Sequence, residues 1–374
     1  MTTPHRPPPG PALHSIPAPV SVPALVSTPT PPPRPSRRPI LPRTLLRPST
    51  TALALGYLAL LFAYLIPAGP GAPPSLDPAI WVAFMIRTFL FQAGLGLLAL
   101  ALLAILLRAR RLLLFTLPAL VFTLAPAAAA YLPKRPPAPA GESLRLLSIN
   151  LLYLNPDPAA ALAHLRAADP DVIAFQEYTP AWSRALLEEL SAEYPYRLEA
   201  PRTDPMGQAI FSKRALLTGP SGGAPALDPE PELGPMPQLT AHLLLDGRPI
   251  AIRCLHLSTP DRPADLAAQR RQIAALARHV PRRAAPLVLA GDFNSTTRTP
   301  QHAWLRATGL REAHAAAGRG LGHTWCRVTR LRHLPGIRID HVYFSPELTC
   351  TLARAGPDTG SDHRPVLAVL ARRP

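Results

Sequence analysis

The chain has 374 residues, 51 of them proline, only three cysteines, and a formal net charge of +16. The charge is lopsided: residues 1–140 hold 12 Lys and Arg against a single acid, Asp77, whereas residues 141–374 hold 27 against 22. Most of the excess therefore lies outside the part with a globular composition, and the overall basicity is no argument for nucleic-acid binding. Cys254, Cys326 and Cys350 lack any CxxC spacing, which argues against a zinc site built on them; they read as small buried hydrophobes, with a Cys326–Cys350 bridge left open.

In chain order, residues 1–50 contain 16 prolines and no acid. Runs such as "RPPPGP" and "TPTPPPRPSRRP" neither nucleate a helix nor pair as central strands, so a disordered Pro/Arg-rich tail is expected. Three apolar segments follow: Thr51–Ile66, Thr88–Leu107 with Gln92 as its one polar interruption, and Leu112–Leu132 with Pro118 and Pro126. Each is near the roughly 20 residues that cross a bilayer core, and none has a polar face, so three transmembrane helices are expected rather than core helices. Gln92 is the only notable polar group within them, which argues against a transporter. Arg34, Arg37, Arg38, Arg43 and Arg47 precede the first span and Arg108–Arg111 joins the second to the third. The positive-inside bias then places the tail in the cytoplasm and everything after Leu132 on the far side.

Residues 133–143 read as a short proline-rich linker, and residues 144–374 as one domain. Strand-like blocks ("LRLLSINLL", "DVIAFQ", "QAIFSK", "QLTAHLLLDG", "PIAIRCLHL", "PLVLAG", "IRIDHVYFS", "RPVLAVLA") alternate with helix-like ones ("DPAAALAHLRAAD", "PAWSRALLEELSAEY", "PADLAAQRRQIAALARHV", "TPQHAWLRATG"). That mixture predicts a single α/β domain with layered sheets.

Polar residues recur where the apolar strands end: Asn150 after "LLSI", Glu177 after "IAFQ", His256 in "RCLHL", Asp292 and Asn294 in "LAGDFN", Asp340 in "RIDHV", and Asp362 and His363 in "GSDHRP". Side chains two apart on extended chain share a face, so Asp292 and Asn294 can look into one site, while Asp340 and His341 should point oppositely. A set of carboxylates, amides and imidazoles without thiols suits a hard cation such as Mg²⁺, with Mn²⁺ as the alternative, and the proton transfers of phosphate-ester hydrolysis.

The ordered set "SIN", "AFQE", "GQAIFSK", "CLHLSTP", "LAGDFNS", "RIDHVYFS" and "SDHRPV" resembles the endonuclease/exonuclease/phosphatase superfamily, of deoxyribonuclease I-like fold, from Leu144 to about Leu370. The resemblance implies a four-layer α/β sandwich, here behind a multispan anchor of the type found in bacterial inner-membrane members. It implies Glu177 as principal Mg²⁺ ligand, with Asn150 beside it and Asp362 as an alternate metal carboxylate. It implies Asp292 acting on the attacking water, Asn294 donating to phosphate oxygens, and Asp340 holding a protonated His363 against the phosphate. His256 is implied as acid for the leaving oxygen; the "RCLHLS" context, without the Asn that often precedes this His, leaves a structural role open. Arg338, in a basic run with Arg327, Arg330 and Arg332, reads as a substrate-phosphate contact or as a solvated face. His323, His333 and His341 read as surface or packing residues. The expected substrate is a phosphate ester: nucleic acid, phospholipid headgroup or nucleotide. The rival reading is a catalytically silent membrane-anchored binding module, and no protein partner is inferable.

Overall fold

The computed structural model describes residues 43–139, 141–217, 238–326 and 335–373. The proline-rich segment up to residue 42 and the basic run at Arg327, Arg330, Arg332 and His333 lie outside them.

Four helices come first: α1 (Arg43–Leu65), α2 (Asp77–Thr88), α3 (Leu90–Leu106) and α4 (Arg110–Ala129). The tail was expected to run to residue 50, but α1 begins at Arg43. The remainder is β1 (Ser143–Asn150), α5 (Ala159–Ala168), β2 (Val172–Gln176), α6 (Pro180–Leu190), β3 (Tyr196–Ala200), β4 (Gln208–Ser212), β5 (Leu239–Leu245), β6 (Arg248–His256), α7 (Pro263–His279), β7 (Leu287–Asp292), α8 (Pro300–Ala307), β8 (Arg311–Glu312), α9 (Ala313–Ala317), β9 (Asp340–Phe344), β10 (Leu348–Ala355) and β11 (Val366–Arg372).

The strands form two mixed sheets, ordered β10-β11-β1-β2-β4-β3 and β5-β6-β7-β9-β8. Each sheet contains one parallel pair, β1·β2 and β6·β7, and every other pairing is antiparallel. Parallel neighbours need a crossover, and α5 and α7 supply it. The helix starts are written locally: Thr179 accepts from the Trp182 amide at 3.2 Å with Pro180 in the first turn of α6.

The two-residue repeat sorts side chains into layers. Leu144, Leu146, Val172, Ala174, Ile210, Ile250, Ile252, Val288, Ala290, Val342 and Phe344 fill the seam between the sheets. Leu147, Ile149, Ile173, Phe175 and Phe211 face the other way onto Leu162, Leu165, Trp182 and Leu186 of α5 and α6. Leu255, Leu287, Leu289 and Tyr343 pack on Ile273, Leu276 and Leu305 of α7 and α8. Helix, sheet, sheet, helix is an α/β sandwich of four layers, each buried Leu or Ile contributing roughly 1.5–3 kcal/mol.

The same repeat places the polar residues. Continuing the seam-facing series along each strand leads to Asn150, Gln176, Gln208, His256, Asp292 and Asp340. The ladders pair Asn150 with Gln176, Gln176 with Gln208, His256 with Asp292 and Asp292 with Asp340. One end of the seam is thus apolar and the other polar, and the ends of both parallel pairs meet there.

The segment between the first two expected spans is not a plain loop. Helix α2 lies in it and docks on the sandwich: Arg270 of α7 pairs with Asp77 at 2.8 Å, Trp81 Nε1 donates to the Pro260 carbonyl at 2.8 Å, and Ile80 and Phe84 pack on Leu266. Helices α2 and α3 are bent by 59° at Phe89. Gln92, expected inside a span, donates instead to the Gly336 carbonyl at 2.9 Å. Among the described residues, Arg110–Ala129 is the one single helix long and apolar enough to cross a membrane; the bent pair passes only if counted as one span, and Thr51–Leu65 is shorter.

Candidate active site

Asp292 ends β7 at the centre of the polar end, 1% exposed. Its two oxygens are used differently. Oδ1 accepts the Asn294 amide at 2.8 Å, a turn within its own loop. Oδ2 faces Asn150 Nδ2 at 3.2 Å, His256 Nε2 at 3.6 Å and His363 Nε2 at 3.7 Å. Burial, with Asp340 nearby, raises the Asp292 carboxyl to about 6 against the pull of His363 and His256. Gly291 before it has φ of 152°, and a Cβ there would stand 1.8 Å from the Leu255 carbonyl oxygen, so this parallel pair can close only around a glycine.

Asn150 bridges the sheets, since the amide that reaches Asp292 also donates to Glu177 Oε1 at 3.0 Å. Glu177 follows β2 with φ of 58°, a left-handed conformation costing about 1 kcal/mol in a non-glycine residue. Its Oε2 accepts the Tyr153 amide at 2.8 Å. Asn294 is also left-handed, at φ 48°, so it reaches the cleft through a turn rather than by strand alternation. One of its amide hydrogens goes to the Leu257 carbonyl at 2.9 Å.

His363 precedes β11 and donates from Nδ1 to Asp340 Oδ2 at 2.9 Å. Burial alone would lower its pKa, but Asp340 and then Asp292 more than offset that and push it up to about 10. The imidazole is therefore cationic at neutral pH. His256 Nδ1 lies 3.0 Å from the Pro205 carbonyl, which it can only donate to, leaving Nε2 as the atom that faces the cleft. Asp362 Oδ2 accepts from Trp325 Nε1 at 3.0 Å, while its Oδ1 is buried without a hydrogen-bond partner.

For a metal, the ligand atoms of Asp292, Asp340 and His363 lie within 4.8 Å of one another. His363 already gives its Nδ1–H to Asp340, so of this ring only Nε2 is left for a cation. The carboxylates of Glu177 and Asp292 fit a hard cation better: both are buried, and Asn150 Nδ2 lies between them while its Oδ1 accepts the Leu152 amide at 3.0 Å. None of the described cysteines is in a disulfide, and the Cys254 sulfur accepts from Gln176 Nε2 at 3.2 Å.

Arg338, read as a substrate-phosphate contact or as a solvated face, is turned to an acidic partner. Arg338 and Ile339 fall outside ladder pairing, so alternation does not carry back from Asp340, and the guanidinium instead meets Glu312 Oε1 at 3.0 Å. His341 points opposite to Asp340 as expected, but it is wholly buried: Nε2 lies 3.0 Å from the Ser295 carbonyl and Nδ1 3.4 Å from Glu312. His302 reaches the same carbonyl at 3.1 Å, so two imidazoles brace the loop after Asp292 from behind. Burial holds His302 well below its usual range. This brace, the Tyr153 amide and the Trp325 indole escaped the sequence reading. "TWC" carried a signal in its lone tryptophan; the others depend on tertiary approach.

The sequence model of the Endonuclease/Exonuclease/phosphatase family matches residues 147–363. The chain belongs to this family. Structures similar to this family member include the endonuclease/exonuclease/phosphatase from Bacteroides vulgatus, 18% identical over 62% of this chain and 100% of that one with a TM-score of 0.50. Humanized D. rerio TDP2 carrying 14 mutations is also 18% identical, over 61% and 98%, with a TM-score of 0.50. The endonuclease/exonuclease/phosphatase from Beutenbergia cavernae DSM 12333 is 22% identical over 62% and 72%, with a TM-score of 0.49. At these identities the likeness is one of fold. Comparison with curated protein sequences finds no match.

Proposed function

We propose that the protein is a membrane-anchored, divalent-cation-dependent phosphoesterase. The observation that carries this reading is His363, held through Nδ1 by Asp340 with its Nε2 set 3.7 Å from the Asp292 oxygen that its own loop leaves free. Glu177 would hold the cation, with Asn150 Nδ2 orienting its carboxylate and the Asp362 oxygen 4.0 Å from His363 Nε2 as a further anionic contact; Mg²⁺ or Mn²⁺ would polarise a phosphoryl oxygen and offset its charge. Asp292 Oδ2 accepts the proton of the attacking water, a task suited to a carboxyl raised toward neutrality. The oxygen of that water forms the new bond to phosphorus as the ester bond breaks. His363 Nε2–H and the remaining Asn294 amide hydrogen donate to the phosphoryl oxygens as charge gathers there. His256 in its imidazolium form, with Nδ1–H kept on the Pro205 carbonyl, would supply the Nε2 proton to the departing oxygen.

The anchor reading is supported by the exposed apolar side chains of α1, α3 and α4, among them Leu61, Leu65, Leu102, Leu106, Leu114 and Val121. With the Arg clusters inside, the sandwich lies outside the cytoplasm of a bacterial-type inner membrane; a reporter active only outside the cytoplasm, fused after Pro374, tests this and must be silent if the orientation is reversed. The activity is tested on the full chain in detergent with Mg²⁺, Mn²⁺ or chelator, against DNA, RNA, nucleotides and phospholipids. Turnover of none of them, or equal turnover by Asp292→Asn, would sink the reading.

A further inference from the structure

The catalytic groups do not sit in a cleft made by the sandwich alone. Glu177, His256, Asp292, Asn294 and His363 line one side of a cavity of about 930 Å³, and Trp81, Phe84, Met85 and Phe89 line another. These four belong to α2 and to the bend between α2 and α3. The wall facing the phosphate chemistry is therefore aromatic and apolar, and it is contributed by the N-terminal helices.

This wall is fixed in place at several points. Besides the Asp77–Arg270 pair and the Trp81 bond, Arg87 Nε donates to the Arg298 carbonyl at 2.7 Å and Gln92 to Gly336 at 2.9 Å. The bend presents Phe89 at 42% exposure, and α3 continues from it with Leu95, Leu98 and Leu102 also exposed. Phe89 thus carries the apolar wall of the cavity out to the exposed surface of the helices. Among the described residues lining the cavity none is Lys or Arg.

Resting on the phosphoesterase reading, we infer that the substrate is an amphiphilic phosphate ester drawn from a lipid layer: its phosphate meets the cluster at the polar end of the seam while its hydrocarbon chain lies along α2 and the start of α3. The chain's contacts lie remote from the reacting bond, so they raise turnover by anchoring and orienting the phosphate.

The test keeps one scissile bond and changes only the tail. Full-length protein in detergent micelles with Mg²⁺ is assayed on p-nitrophenyl hexadecyl phosphate and on p-nitrophenyl methyl phosphate, and p-nitrophenol release is followed for both. The expected kcat/KM ratio favours the hexadecyl ester by at least about tenfold. In Trp81→Ala, and separately in the exposed Phe89→Ala, that ratio should fall at least about fivefold, whereas Leu114→Ala, on α4 and outside the cavity, keeps it. A ratio near one, a ratio unmoved by both cavity variants, or cleavage of single-stranded DNA without cleavage of the hexadecyl ester overturns the lipid assignment and leaves the phosphoesterase reading standing. Hydrolysis of neither ester and of no DNA overturns both.

Discussion

His363 Nδ1 lies 2.9 Å from Asp340 Oδ2, and the two residues belong to different sheets, one leading into β11 and the other opening β9. The contact fixes the ring so that Nε2 looks at Asp292. Asp340→Asn keeps the shape and removes the charge. It is expected to lower kcat by ~10²-fold or more, because a group that stabilises developing charge is weakened. The alkaline limb of the pH–rate profile should move to lower pH as His363 loses its proton more easily. His363→Ala with Asp340→Asn should be little worse than His363→Ala alone; additive losses would mean that Asp340 serves only the fold.

The same pair sets a dependence of stability on pH. His363 has a folded pKa near 10, above the unfolded value of about 6.5. Its contribution is complete below pH ~6.5 and is lost as pH rises through about 10. Denaturant midpoints of the metal-free protein should fall across that window, and His363→Asn should flatten the fall. A wild-type midpoint constant between pH 7 and 10 would contradict the pairing.

Glu177→Gln replaces a carboxylate by a neutral amide at the proposed cation site. The Mg²⁺ concentration for half-maximal rate should rise by about tenfold or more, with partial recovery at high metal. Activity should vanish in chelator and return with Mg²⁺ or Mn²⁺. Full activity in chelator would remove the cation from the scheme.

Asp77→Asn leaves the Arg270 guanidinium, 5% exposed, without its carboxylate partner. Breaking such a pair is expected to cost about 3 kcal/mol. The loss falls on the docking of α2, so limited proteolysis should cut between residues 66 and 77 faster than in the wild type while the sandwich stays intact. Unchanged cleavage would show that the apolar contacts of Ile80 and Phe84 hold α2 by themselves.

Much of the sandwich is legible from two-residue periodicity. Strands with both faces apolar, such as "VIAFQ" and "LVLAGD", announce buried central positions, and the switch to Asn150, Asp292 or Asp340 marks where the seam turns polar. Edge strands were harder. "YRLEA" is short and charged, and "LTCTLARA" carries a register shift between Cys350 and Leu352 that breaks its pattern. The partner of Arg338, Glu312, is 26 residues away and cannot be read from the basic run itself. Helix α2 reads as a loop between spans because it is too short to cross a bilayer; what it binds, Arg270 and Leu266, lies nearly 200 residues away and leaves no local trace.

Asn150 joins Glu177 of one sheet to Asp292 of the other, and His363 joins Asp340 in the same crosswise manner. Neither sheet by itself owns a working half of the chemistry. A slip of one sheet past the other by a single residue, roughly 3.3 Å, would part both pairs while leaving every strand and ladder intact. Catalysis in this molecule is therefore a gauge of sheet alignment, and substitutions deep in the apolar seam, far from any phosphate, should be felt in the rate before they register in the melting curve.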